Sequence, residues 1–276
     1  MKHIYFFILS MFIIGCSNEN PNENNINPST DLIPKEIRYY TLNPQGAQTL
    51  LYVDYFDPEG RFLKKENTNG FKLVENIFNS QNQLISITNK NDTNTTISKF
   101  EFTYTLNQIS GLSYTNNNNI VTLYTINYST NQIVKNNISN NNEDVYDFIG
   151  NKLVSLKYSF SDIENIYYDS NSNLIPNNIP LIQYDDKKNP LNWYYNTYFN
   201  NYLLISYEIN DVDTDFINGF TYSLGSNNRK SDFNGLYGRQ LNFSYNALDY
   251  PTSAITNHVS EFGSGNSDQT VEFIYW

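Results

Sequence analysis

The chain predicts an all-β fold. Antiparallel β-hairpin repeats should form a curled continuous sheet, with one short helix near 190–199. Three observations point there. Short runs alternate apolar with polar residues, as in Lys99-Phe-Glu-Phe-Thr-Tyr-Thr105, the pattern of a half-buried antiparallel strand. Asn, Asp, Gly and Ser clusters punctuate these runs about every 8–15 residues, the spacing of hairpin turns. The apolar content is aromatic and β-branched, with 24 Tyr and 18 Phe against 2 Met and 2 Trp. That mix favours strands over helices.

The first element is not part of the sheet. Lys2 precedes the apolar run Ile4-Tyr-Phe-Phe-Ile-Leu-Ser-Met-Phe-Ile-Ile14, then Gly15-Cys16-Ser17-Asn18. A basic start, a short apolar stretch and a small residue before the cut make a secretory signal. The run is shorter than the roughly 20 residues that span a bilayer. Gly15-Cys16, with the only cysteine of the chain, resembles the lipobox of bacterial lipoproteins. Ile14 is its one less favoured position. The resemblance implies cleavage after residue 15 and acylation of Cys16, which anchors the chain to a membrane.

Residues 16–34 read as a disordered tether. Ser17-Asn-Glu-Asn-Pro-Asn-Glu-Asn-Asn-Ile-Asn-Pro-Ser-Thr-Asp-Leu-Ile-Pro34 has almost nothing to bury,. A flexible segment of this length reaches about 25 Å. Its polar, acidic start resembles the surface-export signal of Bacteroidota lipoproteins, which implies an outer-membrane lipoprotein facing the cell surface rather than the periplasm.

Residues 35–276 read as one β-repeat domain. Its strands are exemplified by Phe100, Phe102 and Tyr104 on one face, by Leu241-Asn-Phe-Ser-Tyr245, and by Val271-Glu-Phe-Ile-Tyr275. Within it lies a degenerate repeat. Copies are Phe56-Asp-Pro-Glu-Gly60-Arg-Phe62, Phe78-Asn-Ser-Gln-Asn82-Gln-Leu84, Tyr146-Asp-Phe-Ile-Gly150-Asn-Lys-Leu153, Tyr168-Asp-Ser-Asn-Ser-Asn-Leu174 and Tyr184-Asp-Asp-Lys-Lys-Asn189-Pro-Leu191. Tyr128-Ser-Thr-Asn131-Gln-Ile133 is a shortened one. The aromatic ends one strand, Asp or Asn caps the turn, Gly or Asn takes the left-handed conformation, and the apolar residue starts the return strand.

These copies resemble the YD repeats of Rhs-type proteins. They resemble more closely a family of Bacteroidota lipoproteins built from degenerate hairpins, over most of residues 37–276. The match is clearest at Tyr184–Leu191 and at Phe243-Ser-Tyr-Asn-Ala-Leu-Asp-Tyr-Pro-Thr252. Several turns lack the Gly, and the repeats are too few for a closed shell around a cargo. The Rhs delivery role is therefore not carried over. The lipoprotein resemblance implies a fold and a location but no activity.

The helix is expected in Asn189-Pro-Leu-Asn-Trp-Tyr-Tyr-Asn-Thr-Tyr198. Its apolar residues fall at 191, 194, 195 and 198, a helical spacing,. Asn189 serves as N-cap, with Pro190 in the first turn. The helix should cover an end or face of the sheet, where two packed halves meet near residues 175–200.

Chemistry is sparse. Net charge is −11 with a pI near 4.6, which excludes nucleic acid as a partner because phosphate binding needs clustered Lys and Arg. The mature chain keeps one histidine, His258, and no nucleophile elbow accompanies it. No catalytic residue, cofactor site or phosphate loop is read from the chain. Asp211, Asp213 and Asp215 alternate as in a calcium loop, yet Phe216 and Tyr222 stand where such a loop has Gly and Glu,. A solvated acidic turn accounts for them better. Trp193, Tyr194, Tyr195 and Tyr198 are candidates for stacking on a ligand. The competing reading, packing between helix and sheet, is favoured.

The reading that results is a lipid-anchored, non-catalytic envelope module. Its partners are the membrane, through Cys16, and an unidentified protein or glycan. The alternative is a carboxylate-dependent glycan hydrolase or glycan-binding accessory protein. The hydrolase requires two carboxyl groups about 5–9.5 Å apart in an aromatic groove.

Overall fold

The computed structural model describes residues 32–43, 46–159, 161–176, 183–210, 227–233, 237–260 and 263–276. Among them eighteen strands and two helices follow in chain order. The first are β1 (Pro34–Leu42), β2 (Gln48–Phe56), β3 (Phe62–Asn67), β4 (Lys72–Phe78), β5 (Leu84–Lys90) and β6 (Thr96–Thr105). Next come β7 (Gln108–Asn116), β8 (Val121–Ser129), β9 (Gln132–Asn137), β10 (Glu143–Ile149) and β11 (Lys152–Lys157). They are followed by β12 (Glu164–Tyr168), β13 (Leu174–Pro176) and β14 (Gln183–Lys188). Two helices, α1 (Asn192–Thr197) and α2 (Phe199–Asn210), then interrupt the strands. β15 (Asn227–Phe233), β16 (Tyr237–Tyr245), β17 (Pro251–Ser260) and β18 (Gly263–Tyr275) complete the order.

The fold is all-β and antiparallel, a hairpin meander. Strands adjacent in sequence pair with each other from β1 to β13 and from β14 to β18. The two runs are joined because β1 pairs with both β2 and β18. Ile37 thus lies opposite Asp54 on one side and Phe273 on the other. One ladder therefore runs from β14 through β18 and β1 to β13. Early and late strands are united by the β1–β18 ladder, and Asn173, just before β13, also exchanges hydrogen bonds with Asn227 on β15, both at 3.1 Å.

Alternation does what the sequence promised. On β6, Phe100 and Phe102 are buried while Glu101 and Thr103 are exposed. The turns are equally regular. The Asp57 carboxylate accepts the amides of Glu59 at 3.1 Å and Arg61 at 2.9 Å. Asn79 does the same for Gln81 and Gln83, Asp169 for Asn171 and Asn173, and Asn246 for Leu248 and Tyr250. The residue three places on adopts positive φ: Gly60 at 82°, Asn82 at 60°, Ser172 at 65° and Asp249 at 65°. A side-chain oxygen closes the turn, and a residue that tolerates the left-handed region reverses it. The same turn at the other rim, built on Asn67, Asn91 and Asn116, extends the pattern beyond the repeat. Two copies depart from the rule. Asp185 lies within β14, and its copy leads through Leu191 into α1 instead of a return strand. Asp147 lies within β10, accepting Gln132 and Ser155, and caps no turn.

The helical region differs from expectation. Two helices form in place of one. Asn189 accepts the Leu191 amide at 3.0 Å in an Asx turn, so it precedes the helix instead of capping it. Leu191 occupies the N-cap position and makes no side-chain cap. The run Tyr202-Leu-Leu-Ile205 in α2 has the β-branched, continuously apolar look of a buried strand. In the helix all four residues are buried, at most 3% exposed. A helical turn that is apolar on every side belongs inside a core.

The contacts of α2 show that the sheet curls. The Asn76 amide on β4 donates to the Tyr202 hydroxyl at 3.0 Å. Lys135 on β9 donates to the Leu204 carbonyl at 2.9 Å. Phe148 on β10 meets the Phe199 ring edge-on at 6.3 Å. In a flat sheet β4 and β10 stand about 29 Å apart, at about 4.8 Å per strand. A helix with side chains is about 10–12 Å wide. Only a sheet wrapped around the helix brings both strands to it.

The tether ends sooner than residue 34. Pro34 is buried and pairs with Tyr275, and the Ile33 carbonyl accepts the Trp276 amide at 3.1 Å. The signal, Cys16 and the tether up to residue 31 lie outside the described residues.

Candidate functional site

Because the meander alternates direction, every turn from an even strand to the next odd one lies at the same rim. The repeat turns after β2, β4, β8, β10 and β12 all gather there. Side chains tie neighbouring turns together. The Arg61 guanidinium donates to Asn82 Oδ1 at 2.5 Å, Gln83 to Asn107 Oδ1 at 3.3 Å, and Lys152 to Ser172 Oγ at 3.0 Å. Beneath these turns, between the rim and the junction of α1 with α2, is a cavity of about 530 Å³.

Its wall is made of tyrosines that end even strands. The Tyr104 hydroxyl donates to the Leu84 carbonyl at 2.8 Å and accepts from the Asn201 amide at 2.8 Å. Tyr128 and Tyr168 stand at the corresponding ends of β8 and β12, with the backbone of Ile109 and Leu153 near their hydroxyls. In each case the partner opens the preceding odd strand. Tyr275 makes the same contact with the Pro251 carbonyl at 2.7 Å. At Tyr104 and Tyr275 the hydroxyl thus clasps its strand to the start of the preceding one. Burial pushes Tyr104 and Tyr168 up to about 12, and Tyr128 higher still. These phenols are neutral at physiological pH.

The floor comes from the helices. Tyr198 donates its hydroxyl to the Asn82 carbonyl at 3.0 Å and packs on Phe78 with ring centroids 5.2 Å apart. Trp193 lies against Gly60, where an added Cβ would meet its ring at 3.0 Å. Asn196, Asn200 and Asn201 complete it.

The four aromatic candidates therefore divide. Trp193 and Tyr198 line the cavity. Tyr194 is 1% exposed, and its hydroxyl meets that of Tyr202 at 2.5 Å. Its ring stands edge-on to Phe56 and Phe62. Tyr195 packs against Tyr194 and Tyr202 at 5.1 and 5.3 Å. These two belong to helix–sheet packing. Asp211, Asp213 and Asp215 lie outside the described residues, as does the His258 side chain. Among the described residues no group of three or more His, Cys, Asp or Glu is placed to hold a metal ion.

Sequence reasoning missed Tyr104, Tyr128 and Tyr168 as wall residues, and the amides around them. The available signal was register: a strict meander puts every repeat turn at one rim. Eleven of the twenty-six described lining residues are Asn or Gln, and none is Asp, Glu, His or Cys. The lining can hydrogen-bond and stack, but its described residues hold no carboxylate pair for glycoside hydrolysis. The buried carboxylate of Asp54 is elsewhere, accepting from Tyr39 at 3.0 Å with Lys65 at 3.9 Å. Burial raises it, and Lys65 and Tyr39 pull it back.

No protein family matches the chain, and no curated protein does. Solved structures similar to it include two porin-like proteins. The one from Bacteroides uniformis aligns with a TM-score of 0.32 at 10% identity, over 88% of this chain and 96% of that one. The one from Bacteroides vulgatus gives 0.33 at 11%, over 89% and 99%. A chain of the Photorhabdus luminescens Tc holotoxin pore gives 0.26 at 13%, over 79% of this chain and 9% of that one.

Proposed function

We propose that this chain is a lipid-anchored envelope protein, attached through Cys16, that binds its ligand in the rim cavity without transforming it. The observation that carries the reading is the cavity itself, a preformed recess lined by amides and aromatic rings, with no carboxylate, imidazole or thiol among its described residues. Ligand sites are concave, largely preformed and set with a few polar groups. The anchor rests on the signal and Cys16. The outer-membrane location, with the domain facing the cell surface, rests on the acidic tether and on the resemblance to Bacteroidota hairpin-repeat lipoproteins. β1 starts at the cavity rim, beside Gly60 and Trp276, so the tether leaves from the binding end.

Two variants test it. Cys16→Ala should abolish incorporation of labelled palmitate and move the protein from the membrane to the soluble fraction. Asn196→Trp fills the cavity from α1. It should remove capture of cell-envelope or culture-medium molecules by the purified domain. Equal capture by wild type and Asn196→Trp would overturn the assignment of the site. Turnover of a glycan or peptide by purified protein would overturn the non-catalytic reading. Protease shaving of intact cells reads the surface location directly.

A further inference from the structure

We infer that the rim cavity takes the uncharged end of a carbohydrate chain, a neutral sugar held by its hydroxyls and ring faces; this deepens the binding reading above and rests on it. Charge is the first argument. Among the described lining residues Lys152 alone is charged, and it is already engaged. Its ammonium donates to Ser172 Oγ at 3.0 Å and lies 5.1 Å from the Tyr168 ring centroid. An anionic ligand would find no second cation there, within a chain of net charge −11. A cationic ligand would find no carboxylate. Burying a charge without a partner is costly.

Amide chemistry is the second argument. A side-chain amide both donates and accepts, as a sugar hydroxyl does. Each therefore satisfies the other whichever way the hydroxyl hydrogen turns. The side chains of Gln108, Asn131, Asn151, Asn196 and Asn200 line the cavity without being tied up by other described residues. Trp193 adds a flat aromatic face of the kind that covers the C–H face of a sugar ring.

Rigidity is the third. Tyr104 and Tyr198 are fixed by hydrogen bonds to the backbone of Leu84 and Asn82, and Asn201 is held by Leu84 and Tyr104. Little ordering remains to be done when a ligand enters. A peptide fits less well. Extended peptides add to a free strand edge, whereas this rim consists of turns. Asp57, Asn79 and Asp169 already accept the backbone amides of three of them.

The test uses the full mature chain carrying Trp276→Phe, which leaves Trp193 as the only tryptophan. Its emission is followed while malto-, xylo- and manno-hexaose are added, with oligogalacturonate and an uncharged tetrapeptide in parallel. A saturable change with at least one neutral hexaose is expected, nearly independent of salt between about 0.05 and 0.5 M. Asn200→Ala should weaken it roughly tenfold or more, at unchanged melting temperature. If Asn200→Ala fails to fold, Asn131→Ala in the exposed turn after β8 replaces it. Saturation with oligogalacturonate or the tetrapeptide only would overturn the ligand class and leave the cavity as a binding site. No response to any probe would overturn the inference. Binding untouched by both substitutions would overturn the site. The broader reading fails separately, if Asn196→Trp leaves envelope capture unchanged.

Discussion

Replacing Lys135 with Met should destabilise the domain by about 3 kcal/mol, because the substitution strands a buried charge. Lys135 is 1% exposed. Its ammonium lies 2.9 Å from the Asp144 carboxylate, 2.9 Å from the Leu204 carbonyl and 4.8 Å from the Tyr124 ring centroid. Met keeps the volume and loses all three attractions. Breaking a buried pair by deleting one partner costs about 3–5 kcal/mol. The low end applies because Asp144 still accepts the Ser159 amide at 3.0 Å. Such a loss is a large share of the roughly 5–15 kcal/mol that holds a domain together. Urea unfolding followed by circular dichroism reads it as a lower midpoint at unchanged slope. The double variant Lys135→Met with Asp144→Asn should recover most of the loss, since no charge is then left uncompensated. A single-variant cost below about 1 kcal/mol, the range of a surface pair, would refute this account of how β9 holds α2.

Alkaline unfolding should be steep. Tyr104 and Tyr168 are pushed up to about 12 by burial, against about 10 in the unfolded chain. Their contribution to stability is whole below pH 10 and is lost as pH rises through 12. Tyrosinate absorbance at 295 nm should therefore rise together with loss of the circular dichroism signal. Wall tyrosines that ionise near pH 10 in a folded chain would sink the assignment. Gly60→Ala should cost about 1–2 kcal/mol, since φ is +82° and the new methyl would meet the Trp193 ring at 3.0 Å,. Melting temperature and Trp193 emission should both shift; unchanged emission would mean that Gly60 does not seat that ring.

The hairpins were legible because each is local. Asp57 through Phe62 carries its own turn chemistry, and the alternation of Phe100, Glu101 and Phe102 fixes which face is buried. The helix pair was only half legible. Asn192–Thr197 shows helical spacing, but Tyr202–Ile205 is apolar at every position, and periodicity cannot separate a buried strand from a buried helix. Only the tertiary surround decides, with Asn76, Lys135 and Phe148 converging on that segment. The cavity was illegible for the same reason. Tyr104, Tyr128 and Tyr168 are repeat aromatics like any other in sequence. They become a wall only when register places them at one rim and helices stop short of filling it. Tyr194 and Trp193 are adjacent in sequence, yet one is core and the other lines the cavity. That difference is rotational phase around α1.

The outer face bears on how this curled sheet meets its surroundings. Mid-strand positions pointing away from the core carry Arg38 and Glu272, 3.6 Å apart on neighbouring β1 and β18. Lys99 and Glu101 pair at 2.5 Å on β6, 40% and 50% exposed. A sheet inserted in a bilayer turns an apolar band outward at that level, where a lysine or arginine costs about 2–4 kcal/mol. The inner face, meanwhile, is filled by Tyr194, Tyr202, Leu204 and Ile205 instead of lining a wet channel. The charged outward pairs and the packed inner face suit water at those positions, while Ile77, Leu123 and Ile255 are also exposed, at 48%, 48% and 44%. If such a domain is held at a membrane, the attachment lies outside its strands, and the proposed anchor at Cys16 would supply it. The Cys16→Ala variant discriminates between the two physical pictures. Release of a folded, soluble domain means that the acyl chains were the attachment. Retention in the membrane fraction would mean that strands hold it there and that the outward charges are tolerated in lipid.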